Sequence, residues 1–379
     1  MKIAFVTGSL VHGGAERHTI TLANRLAERG HECSLAFVKN DPSQISRLRG
    51  VQPVECMRAR SYLDTVSLGR LRYFLKKQDP DVVVAANQYA LMYATLARHK
   101  APLAVTYHTT LLQSAKEWLQ MLAYRPAFWA ADRVIFVCEA QRTHWLRRKL
   151  CGSRNEVIHN GVDADYWRFD PALRVSVRES LGYADDEMVI GMSAVLRPEK
   201  NPLQLVEALG RLRGRGIPAR VLFVGDGPMR PAIEERARAL GLSAQVRIAG
   251  FQQDVRPLVG ACDVVALCST AIETFSLAAL EAMALGRPVV HSSVGGAAEM
   301  VRPGRNGYLF PVGDTEALAG RLAALAERGT RERMGARARE TVESRFTERV
   351  MVDRYERTFT ELATTRSRHE NLRKPAGAH

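Results

Sequence analysis

The chain is a long alternation of short apolar runs with segments of helical period. The first half carries runs at 2–7 (KIAFVT), 32–38, 81–86, 103–107, 133–137 and 156–158. The second half carries them at 188–193, 221–224, 246–249, 263–267 and 289–291. Each is short and largely apolar, as expected of strands buried on both faces. Helical segments lie between them, such as Ala15–Arg29 stopped by Gly30, and 139–150. Strand, helix, strand in succession predicts parallel sheets, because parallel neighbours need a long crossover. The expected fold class is therefore α/β. The second half repeats the architecture of the first without repeating its sequence. Residues 163–187 read as polar and irregular, a lead into the second domain. The segment after Thr330 reads as two helices with a boundary near Phe346-Thr347, and Arg366–His379 as a basic flexible tail.

In open parallel sheets ligands collect at the carboxyl ends of the strands. Those positions are occupied by Gly8, Asn87, His108, Glu139 and Asn160 in the first half. In the second half they fall in loops beginning at Ala194, Gly225, Gly250 and Cys268. The last of these leads through Glu273, Thr274 and Phe275 to Ser276, a good N-cap for a helix that carries Leu277 and Glu281 and stops at Gly286-Arg-Pro288. A helix N-terminus is a natural anion site, and two nearby carboxylates suit sugar and ribose hydroxyls. The same spacing also describes an ordinary surface helix with two acids.

Two glutamates seven residues apart, with Phe275 between them and EAMALGRPVV after, resemble the donor-site motif of retaining GT-B glycosyltransferases, family 4. Other stretches match in order: GGAER at 13–17, HNGVD at 159–163, Gly225-Asp-Gly, Gly250-Phe251, the loop Gly295-Gly-Ala-Ala-Glu299, and NGYLFPVGD at 306–314. The resemblance implies a GT-B fold of two Rossmann-like lobes facing across a cleft. It implies an acceptor-side lobe at 1–168 joined by a returning helix at about 347–365, and a donor lobe at 169–346. It assigns His108, Glu273, Lys200 and Arg197 to catalysis. Gly13, Gly14, Asn160, Gly225, Phe251, Thr274, Phe275, Ser276, Leu277 and Glu281 are assigned to the donor. The family pattern Gly-Arg-Leu-x-x-x-Lys meets Lys200, but Val195 stands where its arginine belongs. Arg197 is the available substitute. The co-substrate implied is a nucleotide-diphosphate sugar, UDP before GDP, and the acceptor a glycan or lipid-linked hydroxyl. No metal is required in this reading, in which Lys200, Arg197 and the helix N-terminus bear the leaving-group charge.

Charge and cysteine content sharpen this. A net charge of +14 asks for an anionic partner. No zinc-finger spacing, aromatic RNA motif or helix-turn-helix pattern accompanies it, so nucleic acid is not expected. Basic, aromatic segments at 66–78, 111–129 and 141–149 suit either an anionic membrane surface or ordinary packing on the sheet. Six scattered cysteines (33, 56, 138, 151, 262, 268) lack any Cys-x-x-Cys and suit a reducing compartment. The first strand begins at Lys2, so no signal peptide is expected, nor is any run long enough to span a membrane. The implied location is cytoplasmic, with peripheral attachment to the inner face of the membrane as one option. Rivals are a nucleotide-sugar 2-epimerase, which shares the fold, a non-catalytic nucleotide-sugar binder, and a basic nucleic-acid-binding protein. The absence of Gly-x-Gly-x-x-Gly, with Lys39 after the second strand, disfavours a Rossmann dehydrogenase.

Overall fold

The structure is a computed structural model. It describes residues 1–11, 13–97, 99–109, 115–271 and 273–373, the side chains of 115–118 and 366–373 excepted. The chain divides into two compact units, Met1–His159 with Val350–His379, and Asn160–Arg349.

The first unit runs β1 (Lys2–Thr7), α1 (Gly14–Glu28), β2 (Glu32–Phe37), β3 (Val51–Cys56), α2 (Thr65–Gln78), β4 (Val82–Ala86) and α3 (Asn87–Ala97). It continues through β5 (Leu103–Tyr107), α4 (Ala115–Ala130), β6 (Arg133–Phe136), α5 (Glu139–Arg147) and β7 (Asn155–Val157). Its strands form one seven-stranded sheet in the order β3-β2-β1-β4-β5-β6-β7, and every pairing is parallel. Alternate residues serve opposite cores. Ala4 and Val6 join Leu71, Phe74, Leu91, Tyr93, Phe128 and Trp145 on one face. Ile3 and Phe5 join Ile20, Leu26, Tyr355 and Phe359 on the other.

The second unit runs α6 (Pro171–Leu181), β8 (Met188–Ser193), α7 (Pro202–Gly214), β9 (Ala219–Val224), α8 (Arg230–Ala239), β10 (Val246–Ile248) and α9 (Arg256–Ala261). Next come β11 (Val264–Leu267), α10 (Leu277–Ala284), β12 (Val289–Ser292), α11 (Ala297–Met300), β13 (Gly307–Phe310), α12 (Thr315–Ala323) and α13 (Arg328–Arg345). Its six-stranded sheet has the order β10-β9-β8-β11-β12-β13. The closing helix α14 (Glu348–Arg373) returns to the first unit, where Met351, Val352, Tyr355 and Phe359 pack beside strands β1 and β4.

Several expectations need correction. Residues 160–168 group with the second unit, because Asn160 Nδ2 donates to Phe275 O (3.0 Å), Val162 pairs with Thr347, and Arg339 Nη1 donates to Trp167 O (3.1 Å). The segment expected to be irregular holds α6, capped by Asp170 at its start and by left-handed Gly182 at its end. The basic tail is helical to Arg373, and 374–379 lie outside the described residues. Strands β3 and β13 were not foreseen. Both are edge strands, and β3 tolerates Pro53 for that reason. Of the three basic segments, Leu71, Phe74, Tyr124, Phe128 and Trp145 are buried, whereas Tyr73, Leu119 and Trp129 are exposed. Residues 111–114 lie outside the described residues.

Candidate active site

Both sheets reverse their strand order at one point, between β1 and β4 and between β8 and β11. Loops leaving such neighbours in opposite directions open a crevice at the carboxyl edge, which is where ligands bind. In the second unit that edge gathers the loops after β8, β11 and β12. Thr270 N donates to Glu199 O (3.0 Å) and Gly296 N to Thr274 O (2.7 Å), so the three loops are stitched by backbone. Gly295 has φ +56°, and a Cβ there would lie 1.7 Å from Glu273 O. Only glycine allows this approach.

Within the stitched loops, Lys200 Nζ lies 2.5 Å from Glu273 Oε2, and Ser269 Oγ donates to the same oxygen at 3.0 Å. Ser292 Oγ in turn donates to Ser269 O (2.7 Å). The two side chains are largely enclosed, at 26% and 12% exposure. Burial by itself would raise the Glu273 carboxyl. The Lys200 charge, the neighbouring His291 and the hydrogen bonds from Lys200 and Ser269 outweigh it and hold that carboxyl below its ordinary value. Glu273 is thus an ionised acceptor at neutral pH. His291, fully buried on β12, contacts Ser292 O through Nδ1 (2.7 Å), and burial lowers its basicity. Sequence reasoning missed Ser269 and His291; the only signal was a polar residue at the carboxyl end of an apolar run.

Ser276 caps α10 by accepting from Ala279 N at 3.3 Å. Amides before Ala279 have no acceptor within the helix. Glu281 is buried one turn on. Phe275 packs its ring on Phe346 (5.4 Å between centroids), so this residue is placed by packing, and Leu277 starts the helix. Asn160 is buried as the anchor of Phe275 O. Gly225 has φ +139° and sits against Ala194 O, which seats the loop after β9 beneath the loop after β8. Phe251 is 79% exposed. Arg197 is not drawn into the cluster: its side chain is 59% exposed and 4.0 Å from Glu199.

In the first unit, Gly13 precedes α1 in extended conformation, and a Cβ on Gly14 would meet nothing within 4 Å. A Cβ on Gly13 would lie 2.3 Å from a carboxylate oxygen of Glu16, so the space over Gly14 alone is open. Glu16 follows, its carboxyl raised by burial. His108 leaves β5 with its amide donating to Asn87 Oδ1 (3.0 Å), and burial pushes its imidazole down to about 4. Gln141 Nε2 donates to Tyr107 O (2.9 Å) and Thr109 O (3.0 Å), fixing the backbone on both sides of it.

A cavity of about 410 Å³ in the second unit, lined by Tyr166, Phe169, Arg174, Arg256 and Leu285 among others, includes none of these site residues in its lining. Its Arg174 and Arg256 are engaged by Asp263 (2.7 Å) and Asp254 (2.7 Å). Among the described residues no group of three or more His, Cys, Asp or Glu is set to hold a metal ion. All six cysteines are free thiols. No helix of the described residues is long and apolar enough to cross a membrane.

Comparison with known proteins matches this arrangement. Residues 12–166 fit the model described as Glycosyltransferase Family 4, and residues 175–341 that described as Glycosyl transferases group 1. The two models meet in one chain, one on each unit. The chain belongs to the GT-B glycosyltransferases of family 4. The glycosyltransferase is 29% identical to EpsD of Bacillus subtilis over 70% of its own length and 73% of that protein. It is 27% identical to the lipopolysaccharide core biosynthesis glycosyltransferase LpsE of Rhizobium meliloti, over 90% and 94% of the two chains. Among solved structures it resembles Anabaena HepE in complex with UDP, with a TM-score of 0.85, 25% identity and coverage of 95% and 100%. HepE in complex with UDP-glucose matches with a TM-score of 0.82 at 26% identity, again over 95% and 100%.

Proposed function

We propose that this glycosyltransferase transfers a hexosyl group from a UDP-sugar to a hydroxyl of a glycan or lipid-linked acceptor, with retention and without a metal ion. The observation that carries the reading is the Lys200–Glu273 pair, closed at 2.5 Å at the switch point of the second sheet beside the start of α10. The UDP and UDP-glucose held by HepE support the choice of base.

The difficult charge in this reaction grows on the departing diphosphate. Lys200 and the first turn of α10 supply positive potential there, with Arg197 joining from the surface. Glu273, held ionised, accepts hydrogen bonds from sugar hydroxyls. Glu281 takes the ribose. By the family resemblance Gly13, Gly14 and His108 also serve the donor, and the buried neutral imidazole of His108 acts as a hydrogen-bonding group. The C1–O bond breaks with its electron pair leaving on the diphosphate. The acceptor oxygen bonds to C1 on the same face, and its proton passes to the departing phosphate oxygen. No protein nucleophile is needed, so Glu273 is not assigned that role.

The test is a thermal-shift series with UDP, GDP, ADP and CDP on wild type, Glu281→Ala and Lys200→Ala. A diphosphate at 100 times its Kd adds about 2.7 kcal/mol. UDP alone is expected to stabilise the wild type, and both variants to lose the response. A response to GDP in place of UDP overturns the base, and none to any diphosphate overturns the donor site. The anomeric configuration of the product, read by proton NMR, checks retention. Full activity in excess EDTA checks independence of metal. Exposed Tyr73, Leu119 and Trp129 on basic helices support peripheral attachment to anionic lipid. Flotation with anionic vesicles is expected, and absence of binding to both anionic and neutral vesicles overturns it.

A further inference from the structure

The mechanism makes no use of the buried imidazole of His18. His18 lies in the second turn of α1, four residues after Gly14, and is 4% exposed. Among the described residues neither of its ring nitrogens has a hydrogen-bond partner, and the hydroxyl of Tyr355, on α14, has none either. The His18 ring stands edge-on to His108, with centroids 4.6 Å apart and planes at 61°. It also meets the ring of Tyr355, at 5.4 Å and 62°. Three elements of the first unit, α1, the end of β5 and α14, thus meet through three rings.

A buried imidazole with neither nitrogen bonded is a poor choice for stability, since desolvation of both polar atoms goes uncompensated. A phenyl ring of similar shape would fill the space at lower cost. Such a group calls for an explanation outside packing. The edge of an imidazole carries an N–H dipole that a phenyl edge lacks, so its contact with a facing ring is stronger and more directional.

We propose that His18 is a positioning residue: in contact with the rings of both Tyr355 and His108, its imidazole fixes the plane in which His108 meets the donor sugar. This rests on the role given to His108 above. Ser, Thr or Ala at this position would remove the ring against which His108 stands edge-on. Placement errors of this kind reduce turnover about tenfold to a hundredfold without weakening ground-state binding.

The experiment compares wild type, His18→Phe, His18→Gln and His108→Asn by three readouts. These are melting temperature, release of UDP from UDP-glucose with water as acceptor, and imidazole 15N–1H correlations. The His108 signal is identified by its loss in His108→Asn. His18→Phe is expected to melt at or above wild type, to lose at least tenfold in kcat with KM within about twofold, and to shift the His108 signal. His18→Gln, polar but without a ring, is expected to lose kcat equally and serves if the Phe variant does not fold. The proposal is overturned by a His108 signal unmoved in a folded His18 variant, by kcat within twofold of wild type, or by activity that falls only in step with melting temperature. If UDP-glucose is not turned over by the wild type, the spectrum alone decides. If His108→Asn turns over normally, the role of His108 fails while the spectral coupling still reports on His18.

Discussion

Lys200→Met removes the cation from the Lys200–Glu273 pair and leaves a near-isosteric side chain. Glu273 then keeps the bond from Ser269 Oγ (3.0 Å) and the neighbouring His291 as its support. Breaking a fully buried pair by removing one partner costs about 3–5 kcal/mol. Both side chains here retain some solvent, at 26% and 12% exposure, so about 2–3 kcal/mol is expected at neutral pH. In a unit of this size each kcal/mol moves Tm by about 2–4 °C, which predicts a fall of roughly 5–10 °C. The pH dependence gives the sharper test. In the wild type the folded carboxyl lies below the ordinary value of 4.5, so its stabilisation is present above that value and is lost as pH falls through the folded one. Without Lys200 the effect of burial prevails and the folded carboxyl rises above 4.5. The native state then binds the extra proton, and stability falls as pH rises through that window. The deficit of the variant should therefore be small near pH 4 and full at pH 7.5, as read by melting curves at both. Lys200→Met with Glu273→Gln should recover part of the loss, because no buried charge is stranded. A deficit that is equal at both pH values, or below about 2 °C at pH 7.5, refutes the reasoning.

Gly295→Ala is expected to cost about 1–3 kcal/mol and to lower turnover, since its Cβ would lie 1.7 Å from Glu273 O at φ +56°; a variant with wild-type Tm and kcat would contradict the stitched-loop geometry. Arg197→Ala should raise the donor KM about tenfold, the loss of one charge-assisted contact, with Tm unchanged because the side chain is exposed. An unchanged KM would show that nothing replaces the arginine missing at Val195. Gln141→Leu removes three bonds around the His108 loop, to Val137 N, Tyr107 O and Thr109 O. Denaturant melts should show a loss of about 2–4 kcal/mol, and a loss under 1 kcal/mol would place the support elsewhere.

The strands were legible because a strand covered on both faces must be apolar at every position, as in VVVAA at β4 and VVAL at β11. β3 was not, because an edge strand admits Gln52, Pro53 and Glu55, which break the run. Helix α6 hid for a different reason. Its Val175 and Leu173 are exposed, so the apolar period is blurred, and its signal lay in the caps Asp170 and Gly182. The residues able to bear chemistry were also legible by type and place. A lysine in the loop after β8 and a glutamate before a capped helix follow from local pattern alone.

Their meeting was not legible. Lys200 and Glu273 are 73 residues apart, and only the reversal of strand order between β8 and β11 brings the two loops to one edge. His18 and Tyr355 come from opposite ends of the chain and share a face of the first sheet because α14 returns to it. His18 stood in the polar run Glu16-Arg17-His18-Thr19 and His291 at the end of an apolar run, and neither place announces burial. Local pattern carries the period of an element and the identity of its side chains, since both are set by neighbours along the backbone. Which loops adjoin, which carboxyl stays charged and which imidazole is stripped of water depend on groups distant in sequence, and those only packing assembles.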